Sequence, residues 1–231
     1  PSFIREYVVF TKKNRTNIIP IKKIYPCLSD RFIESGSLPE HYFFQDLLVA
    51  QKIFSNNPIK HVDIGSRIDG FVAHVASFRT IEVFDIRPLK QEIPNLIFHQ
   101  IDMTEFDQKY LNYADSISCL HALEHFGLGR YGDRIDPDGH LKGFDFIKKM
   151  IKPNGLLYLS VPIGKLRIEF NAHRVFSLEY IINWVTNDFI IERIDIIDDN
   201  ERIFYNYKIE ETPLAIEYGC GIFTLKKRTN T

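Results

Sequence analysis

The residues best suited to chemistry stand close together. His121, Glu124 and His125 fall in the run His-Ala-Leu-Glu-His, and His173 in Asn-Ala-His-Arg. His121 and His125 are four apart, so a helical turn would set both on one side with Glu124 beside them. Three readings are open. One imidazole acts as general base while another group orients it. Alternatively, the four side chains hold a divalent metal that binds substrate hydroxyls. In the third, Glu124 and His125 only brace a loop by hydrogen bonds. His-x-x-Glu-His is also the inverted zinc-protease pattern. That chemistry needs the motif inside a helix plus a further ligand, whereas here it follows directly on a strand.

A second set of residues lies upstream, in Asp63-x-Gly65-x-x-x-Asp69-Gly70. His61 to Ile64 reads as a short strand, and Gly65 ends it where the backbone turns sharply. Gly70 opens a helical run through Ala76. Ile81 to Phe84 is the next strand, with Asp85 at its tip, placed to accept hydrogen bonds from ribose hydroxyls. The pattern is not Gly-x-Gly-x-x-Gly. An acid two residues before the first glycine discourages a pyrophosphate and suits a ligand with a cationic or neutral middle, such as S-adenosylmethionine.

The elements that position these residues alternate. Leu96 to Ile101 is a third strand followed by Asp102, Asp115 to Leu120 a fourth, and Leu156 to Val161 a fifth, apolar enough to be buried on both faces. Gly139 to Ile151 is a helix ended by Pro153-Asn154-Gly155. Ser177 caps another helix that runs to about Asn187. Phe189 to Ile197 and Tyr218 to Leu225 are the last strands, joined by a polar loop over 198–217. Alternation implies a parallel sheet covered on both faces, with ligands beyond the carboxyl ends of its strands. Asp63, Asp85, Asp102 and His121 each fall at the end of a different strand.

Before this frame, His41 to Phe54 repeats its apolar residues at helical spacing and forms an amphipathic helix. Residues 1–40 carry Lys12, Lys13, Arg15, Lys22 and Lys23 between Pro20, Pro26 and Pro39, read as an extended arm packed on the domain surface. The expected organisation is an arm plus amphipathic helix over 1–57 and an α/β domain over 58–231. Tyr42, Phe43, Phe44, Phe170 and Phe176 read as core, and Trp184 packs in its helix.

The 231 residues carry a formal net charge of −1, which gives no basic field for nucleic acid. Three dispersed cysteines suit a reducing compartment, so the expected location is cytoplasmic. No signal peptide and no membrane-spanning apolar run is read.

From His61 to Val161 the chain resembles the class I S-adenosylmethionine-dependent methyltransferases. Asp63-x-Gly65 corresponds to their first motif, Asp85 to the acidic second-strand tip, Asp102 to the acid near adenine, and Lys152-Pro-Asn-Gly-Leu-Leu to the entry of the fifth strand. More narrowly, the runs from Val62 to His74 and Asp115 to Asp133, with Phe170 to Phe176, resemble an uncharacterised bacterial methyltransferase-like family. Some of its members appear with surface-glycan genes. Arg67 stands where the first motif usually has its second glycine. The resemblance implies a Rossmann-like, mostly parallel seven-stranded sheet with helices on both faces and an N-terminal extension.

It also implies S-adenosylmethionine as cofactor. The cofactor would be held by Asp63, Gly65, Ser66, Arg67, Asp69 and Gly70 at the first turn, and by Asp85, Ile86 and Arg87 at the second. Asp102 and Met103 would flank the adenine, and Leu120 and His121 would also contact the cofactor. His121, Glu124, His125 and His173 are the candidate catalytic residues, and a divalent metal is a possible second cofactor. Hydroxyl-directed transfer to a small glycan-type or phosphorylated acceptor is expected, with Arg130, Asp133, Arg134 or Arg174 lining its pocket. The alternatives are a module that binds the cofactor without turnover, and the metallohydrolase.

Overall fold

The computed structural model describes residues 2–14, 19–32, 40–209 and 214–229. They form two compact units, 1–38 and 39–231. In the smaller unit Ser2–Lys13 is an α-helix, α1, where the sequence suggested an extended arm. Its Lys12 and Lys13 fall in the last turn, where cations favour the helix dipole. Arg31 grips the Glu6 carboxylate through two hydrogen bonds of 3.0 and 2.8 Å. Arg15, Pro39 and residues 210–213 of the expected polar loop lie outside the described residues.

The larger unit is a sheet of eight strands. In chain order they are β1 (His61–Ile64), β2 (Ile81–Asp85), β3 (Leu96–Gln100), β4 (Ala114–Leu120), β5 (Ile151–Ile163), β8 (Phe189–Ile197), β9 (Ile203–Phe204) and β10 (Gly219–Lys227). Their spatial order is β3-β2-β1-β4-β5-β10-β8-β9. The first five run parallel; β10, β8 and β9 pair antiparallel. The expected seven strands are therefore joined by a two-residue edge strand inside the polar loop. A separate hairpin, β6 (Arg167–Glu169) and β7 (His173–Val175), was not read from the sequence because each arm is only three residues long.

Helices cover both faces. On one, α2 (Glu40–Asn56) packs Val49, Ala50 and Ile53 against Phe71, Val75, Ile81 and Val83. Ile53 is wholly buried, and such burial contributes on the order of 2 kcal/mol. Lys52 ties this helix to the sheet through Asp195 at 2.7 Å and Thr224 at 3.0 Å. After β1, Ile68–Val72 winds as a wide turn into the short helix α3 (Ala73–Ala76). On the other face α4 (Gly139–Met150) and α5 (Leu178–Val185) bury Phe144, Phe146, Ile181 and Val185. Trp184 packs on Phe144, with ring centroids 4.5 Å apart. Ser177 Oγ accepts from Tyr180 N and caps α5, as its position suggested.

One boundary is corrected. Pro153-Asn154-Gly155 does not separate α4 from the fifth strand; β5 already pairs at Ile151, opposite Ala114. The next pair is Ser116 with Leu156, so the proline-containing turn bulges out of one continuous strand. Buried Ile151 holds the near side of that bulge in the core.

Strand order reverses between β1 and β4. There the crevice beyond the carboxyl ends is open for a ligand.

Candidate functional site

At this reversal lies a cavity of about 410 Å³, lined from the ends of β1, β2 and β4, by α2, and by the loop 121–133. Its floor begins at Gly65. The backbone turns there at φ +70°, and a Cβ would meet that of Ala122 at 2.9 Å. Only glycine fits both demands.

Asp63 does not line the cavity; it lies beneath this turn. Its carboxylate accepts from Ser66 N at 3.0 Å, Ser66 Oγ at 2.7 Å and Ser118 Oγ at 2.6 Å. Burial pushes it up to about 7, against the pull of those donors. His61 extends the network, with ring nitrogens 2.9 Å from Ser116 Oγ and 3.2 Å from Ser118 Oγ. Asp69 and Gly70 also fall outside the lining. Asp69 is 74% exposed and pairs with Arg67 at 3.0 Å. Gly70 yields to α2: a Cβ there would meet Asp46 Oδ2 at 2.5 Å.

The other positions assigned to a cofactor do line the cavity: Ser66 and Arg67, Asp85 to Arg87, Asp102 and Met103, Leu120 and His121. Asp85 is already engaged. Its carboxylate takes Arg87 N at 2.8 Å, Arg87 Nε at 3.0 Å and Arg87 Nη2 at 2.6 Å. The same guanidinium rests 4.4 Å from the ring centre of Tyr131. Asp102 closes its own turn on Thr104 N and Oγ1 at 2.9 and 2.7 Å.

His121, Glu124, His125 and His173 all reach the cavity, but not from one helical face. His121 has left-handed backbone, φ +49°, and Leu123–His125 is a single 3₁₀ turn. What unites them is the Glu124 carboxylate. His121 Nδ1 lies 3.1 Å and His125 Nε2 3.7 Å from Glu124 Oε1. His125 Nδ1 donates to Ala172 O at 2.7 Å, leaving Nε2 without a proton in the neutral ring. His121 donates through Nδ1 to the carboxylate, and its Nε2 lies 3.4 Å from the Cys220 thiol. Both nitrogens of His121 are thus in use, so it is a poor proton acceptor. Burial holds it neutral, down to about 3, and lowers His125 as well. Glu124, only 1% exposed, is pushed up to about 7 by burial, against the pull of His125. Its Oε2 is buried with no hydrogen-bond partner among the described residues.

Rings close around this carboxylate. His41 stacks on His121 with centroids 4.6 Å apart; His173 sits 5.2 Å from Tyr218 and 6.4 Å from His125. Tyr42 lies 5.2 Å from His121, and Tyr131 meets His125 edge-on at 5.4 Å. Burial and the nearby Glu124 raise the Tyr42 phenol, keeping it protonated.

Tyr42, expected in the core, lines the cavity, as do Gln45, Asp46, Tyr131 and Tyr218, which no sequence motif marks as site residues. The polar positions at the start of α2 were the available signal. Phe176 is buried as expected, but Phe170 is 73% exposed. Of the residues considered for an acceptor pocket, Arg130 and Asp133 line the cavity and Arg174 does not. Arg174 is spent on the carbonyls of Glu124, Phe126 and Pro137 at 3.1, 2.7 and 3.0 Å. Asp133 ties down the loop, accepting from Gly127 N, Gly129 N and Tyr131 N at 2.7 to 3.2 Å. Among the described residues no group of three or more histidine, cysteine or acidic side chains is arranged to hold a metal ion. No helix among them is long and apolar enough to cross a membrane.

The fold is shared with solved structures. One is the Burkholderia thailandensis 1,6-didemethyltoxoflavin N1-methyltransferase, with bound 1,6-didemethyltoxoflavin and S-adenosylhomocysteine. It is 11% identical, covers 81% of this chain and 80% of that one, and has a TM-score of 0.57. The N-methyltransferase NodS of Bradyrhizobium japonicum WM9, with S-adenosylhomocysteine, is 14% identical over 80% and 86%, at 0.56. The [4+2]-cyclase SpnF is 12% identical over 80% and 81%, at 0.59. At such identities the likeness shows the class I methyltransferase fold, and a fold by itself does not name a reaction. No curated protein matches the chain in sequence. A family model described as Caenorhabditis protein of unknown function, DUF268, matches residues 68–183, from the turn after β1 to within α5. Spanning half of the sequence, that match makes the chain a member of the DUF268 family.

Proposed function

We propose that the cavity binds S-adenosylmethionine and that the protein passes its methyl group to a proton-bearing heteroatom of a small acceptor, with Glu124 receiving the proton. The observation that carries this reading is the buried Glu124 Oε2, without a hydrogen-bond partner among the described residues, in the wall of a cavity that Asp85 and Gly65 also line.

The residues present fit such a cofactor. Asp85 offers a carboxylate to the ribose hydroxyls, and the Cβ-less Gly65 lets backbone approach the methionine part. Asp102 and Met103 would flank the adenine. The bound cofactor supplies an electrophilic methyl on a sulfonium. The chain's own work is to align the acceptor with that carbon, exclude water and take up one proton. His121 holds Oε1 so that Oε2 points at the acceptor. His121 is a positioning group in this reading, and Glu124 is the base.

Small-molecule acceptors of either hydroxyl or amine type satisfy a lone carboxylate oxygen. For a phosphorylated acceptor, Arg130 is the arginine with donors to spare, since Arg174 is spent inside the loop. Labelled-methyl transfer from S-adenosylmethionine across a panel of small hydroxyl and amine compounds tests the reading. Transfer by the native chain and its loss in Glu124→Gln are expected. Transfer that survives in Glu124→Gln would remove the proton-accepting role.

A further inference from the structure

We infer that the acceptor is a small bipolar molecule whose nucleophile is an amine, seated against Glu124, and whose anionic group faces Arg130. The inference rests on the methyl-transfer reading and deepens it. Two independent features carry it.

The first is the surround of Glu124. His121 lies 5.2 Å from Tyr42, His125 5.4 Å from Tyr131 and His173 5.2 Å from Tyr218, ring centre to ring centre, and all six line the cavity with Glu124. The Glu124 carboxylate lies between His125 and His121. Among the described residues no cationic side chain hydrogen-bonds Oε2. Tyrosine rings and a carboxylate in one wall attract an ammonium twice over, through the quadrupoles of the phenol rings and through the negative charge. A neutral sugar hydroxyl gains only the hydrogen bond to the carboxylate. Hydroxyl recognition of a glycan also needs several side-chain hydrogen bonds, and here the imidazole protons of His121 and His125 are already given away, to Glu124 and to Ala172 O.

The second feature is the position of the nearest arginine. Ala172 O accepts from His125 Nδ1 at 2.7 Å and from Arg130 Nη1 at 3.0 Å. Arg130 thus shares an acceptor with His125, the neighbour of Glu124, lines the same cavity, and makes no other hydrogen bond among the described residues. Alone it would repel an ammonium; paired with an acid group on the same ligand it becomes a second anchor. Arg87 is bound to Asp85 and Arg67 to Asp69, so neither competes for that group.

The proton and electron accounts close. The ammonium gives one proton to Glu124 Oε2 and exposes its lone pair. The new N–C bond forms as the S–C bond breaks, leaving a thioether, and the positive charge passes to the methylated ammonium.

The experiment uses the protein loaded with S-adenosylhomocysteine. ω-Amino acids with one to four methylenes, the matching amines without the acid, and the matching hydroxy acids are titrated in calorimetrically at pH 7.5. Labelled-methyl transfer is then measured on each. One or more of the amino acids should bind about tenfold or more tightly than its acid-free amine, the size of one charge-assisted contact. Arg130→Gln should erase that preference, with the plain amine binding as tightly or more tightly once the like charge is gone, and Glu124→Gln should weaken every amine. Hydroxy acids that bind and react as well as amino acids, an unchanged preference in Arg130→Gln, or no binding by any amine would overturn the inference. If S-adenosylhomocysteine itself fails to bind, the fault lies with the methyl-transfer reading instead.

Discussion

His121 Nδ1 and Glu124 Oε1 face each other at 3.1 Å with side chains 3% and 1% exposed, while Glu124 Oε2 meets no partner among the described residues. One oxygen of the carboxylate is thus fixed and the other left free for a ligand. Replacing Glu124 by Gln keeps the shape and the contact to His121 but removes the proton acceptor. Methyl transfer should fall by about 10² to 10⁴-fold with S-adenosylhomocysteine affinity unchanged. Calorimetry on the variant separates the two effects.

The same group sets a pH dependence. Burial raises Glu124 to about 7, so at lower pH it is protonated and cannot accept a proton. kcat/KM should climb with pH through about 7 and level off above it. A pH–rate profile that is flat between 6 and 8, or one that rises identically in Glu124→Gln, would assign the limb to another group.

Asp85 is held by Arg87 through three hydrogen bonds, so a ribose diol must share or displace them. Asp85→Ala should weaken S-adenosylhomocysteine by about tenfold or more. Arg87→Met frees the carboxylate and should leave affinity equal or improved. A large loss in Arg87→Met would mean that the guanidinium itself holds the ligand.

The Gly65 turn leaves no room for a side chain. Gly65→Ala adds a strained φ of +70° and a 2.9 Å approach to Ala122. A stability loss of about 1–3 kcal/mol is expected in denaturant unfolding, with weaker cofactor affinity.

His61 gives an acid-sensitive element below the site. Burial lowers it to about 3, whereas an unfolded histidine titrates near 6.5. The unfolded chain therefore binds the proton first. The contribution is complete above 6.5 and is lost as pH falls toward 3, by about 2 kcal/mol at pH 5. His61→Gln should flatten the drop in Tm between pH 7 and pH 5 by roughly 5 °C. An unchanged slope would mean that the imidazole titrates normally.

The sheet was legible because its strands are short apolar runs bounded by glycine, proline and acids, and β1, β2 and β3 fall within a residue of their expected ends. Position along a strand was enough to bring Asp85, Asp102 and His121 to one edge. It could not tell which way a side chain turns. Asp63 sits at the third residue of β1 and points under the loop because Ser66 and Ser118 can donate to it. The four-residue spacing of His121 and His125 suggested a helical face, but the left-handed backbone at His121 depends on tertiary packing. Tyr42 and Tyr218 reach the site from segments more than a hundred residues apart, a proximity no local pattern encodes.

The central claim is that this cavity takes an adenosyl sulfonium cofactor. Its most direct test is calorimetric titration of the purified chain with S-adenosylhomocysteine, repeated with Asp85→Ala. The account predicts one site per chain, with affinity markedly reduced in the variant. No measurable binding, or binding indifferent to Asp85, would contradict it.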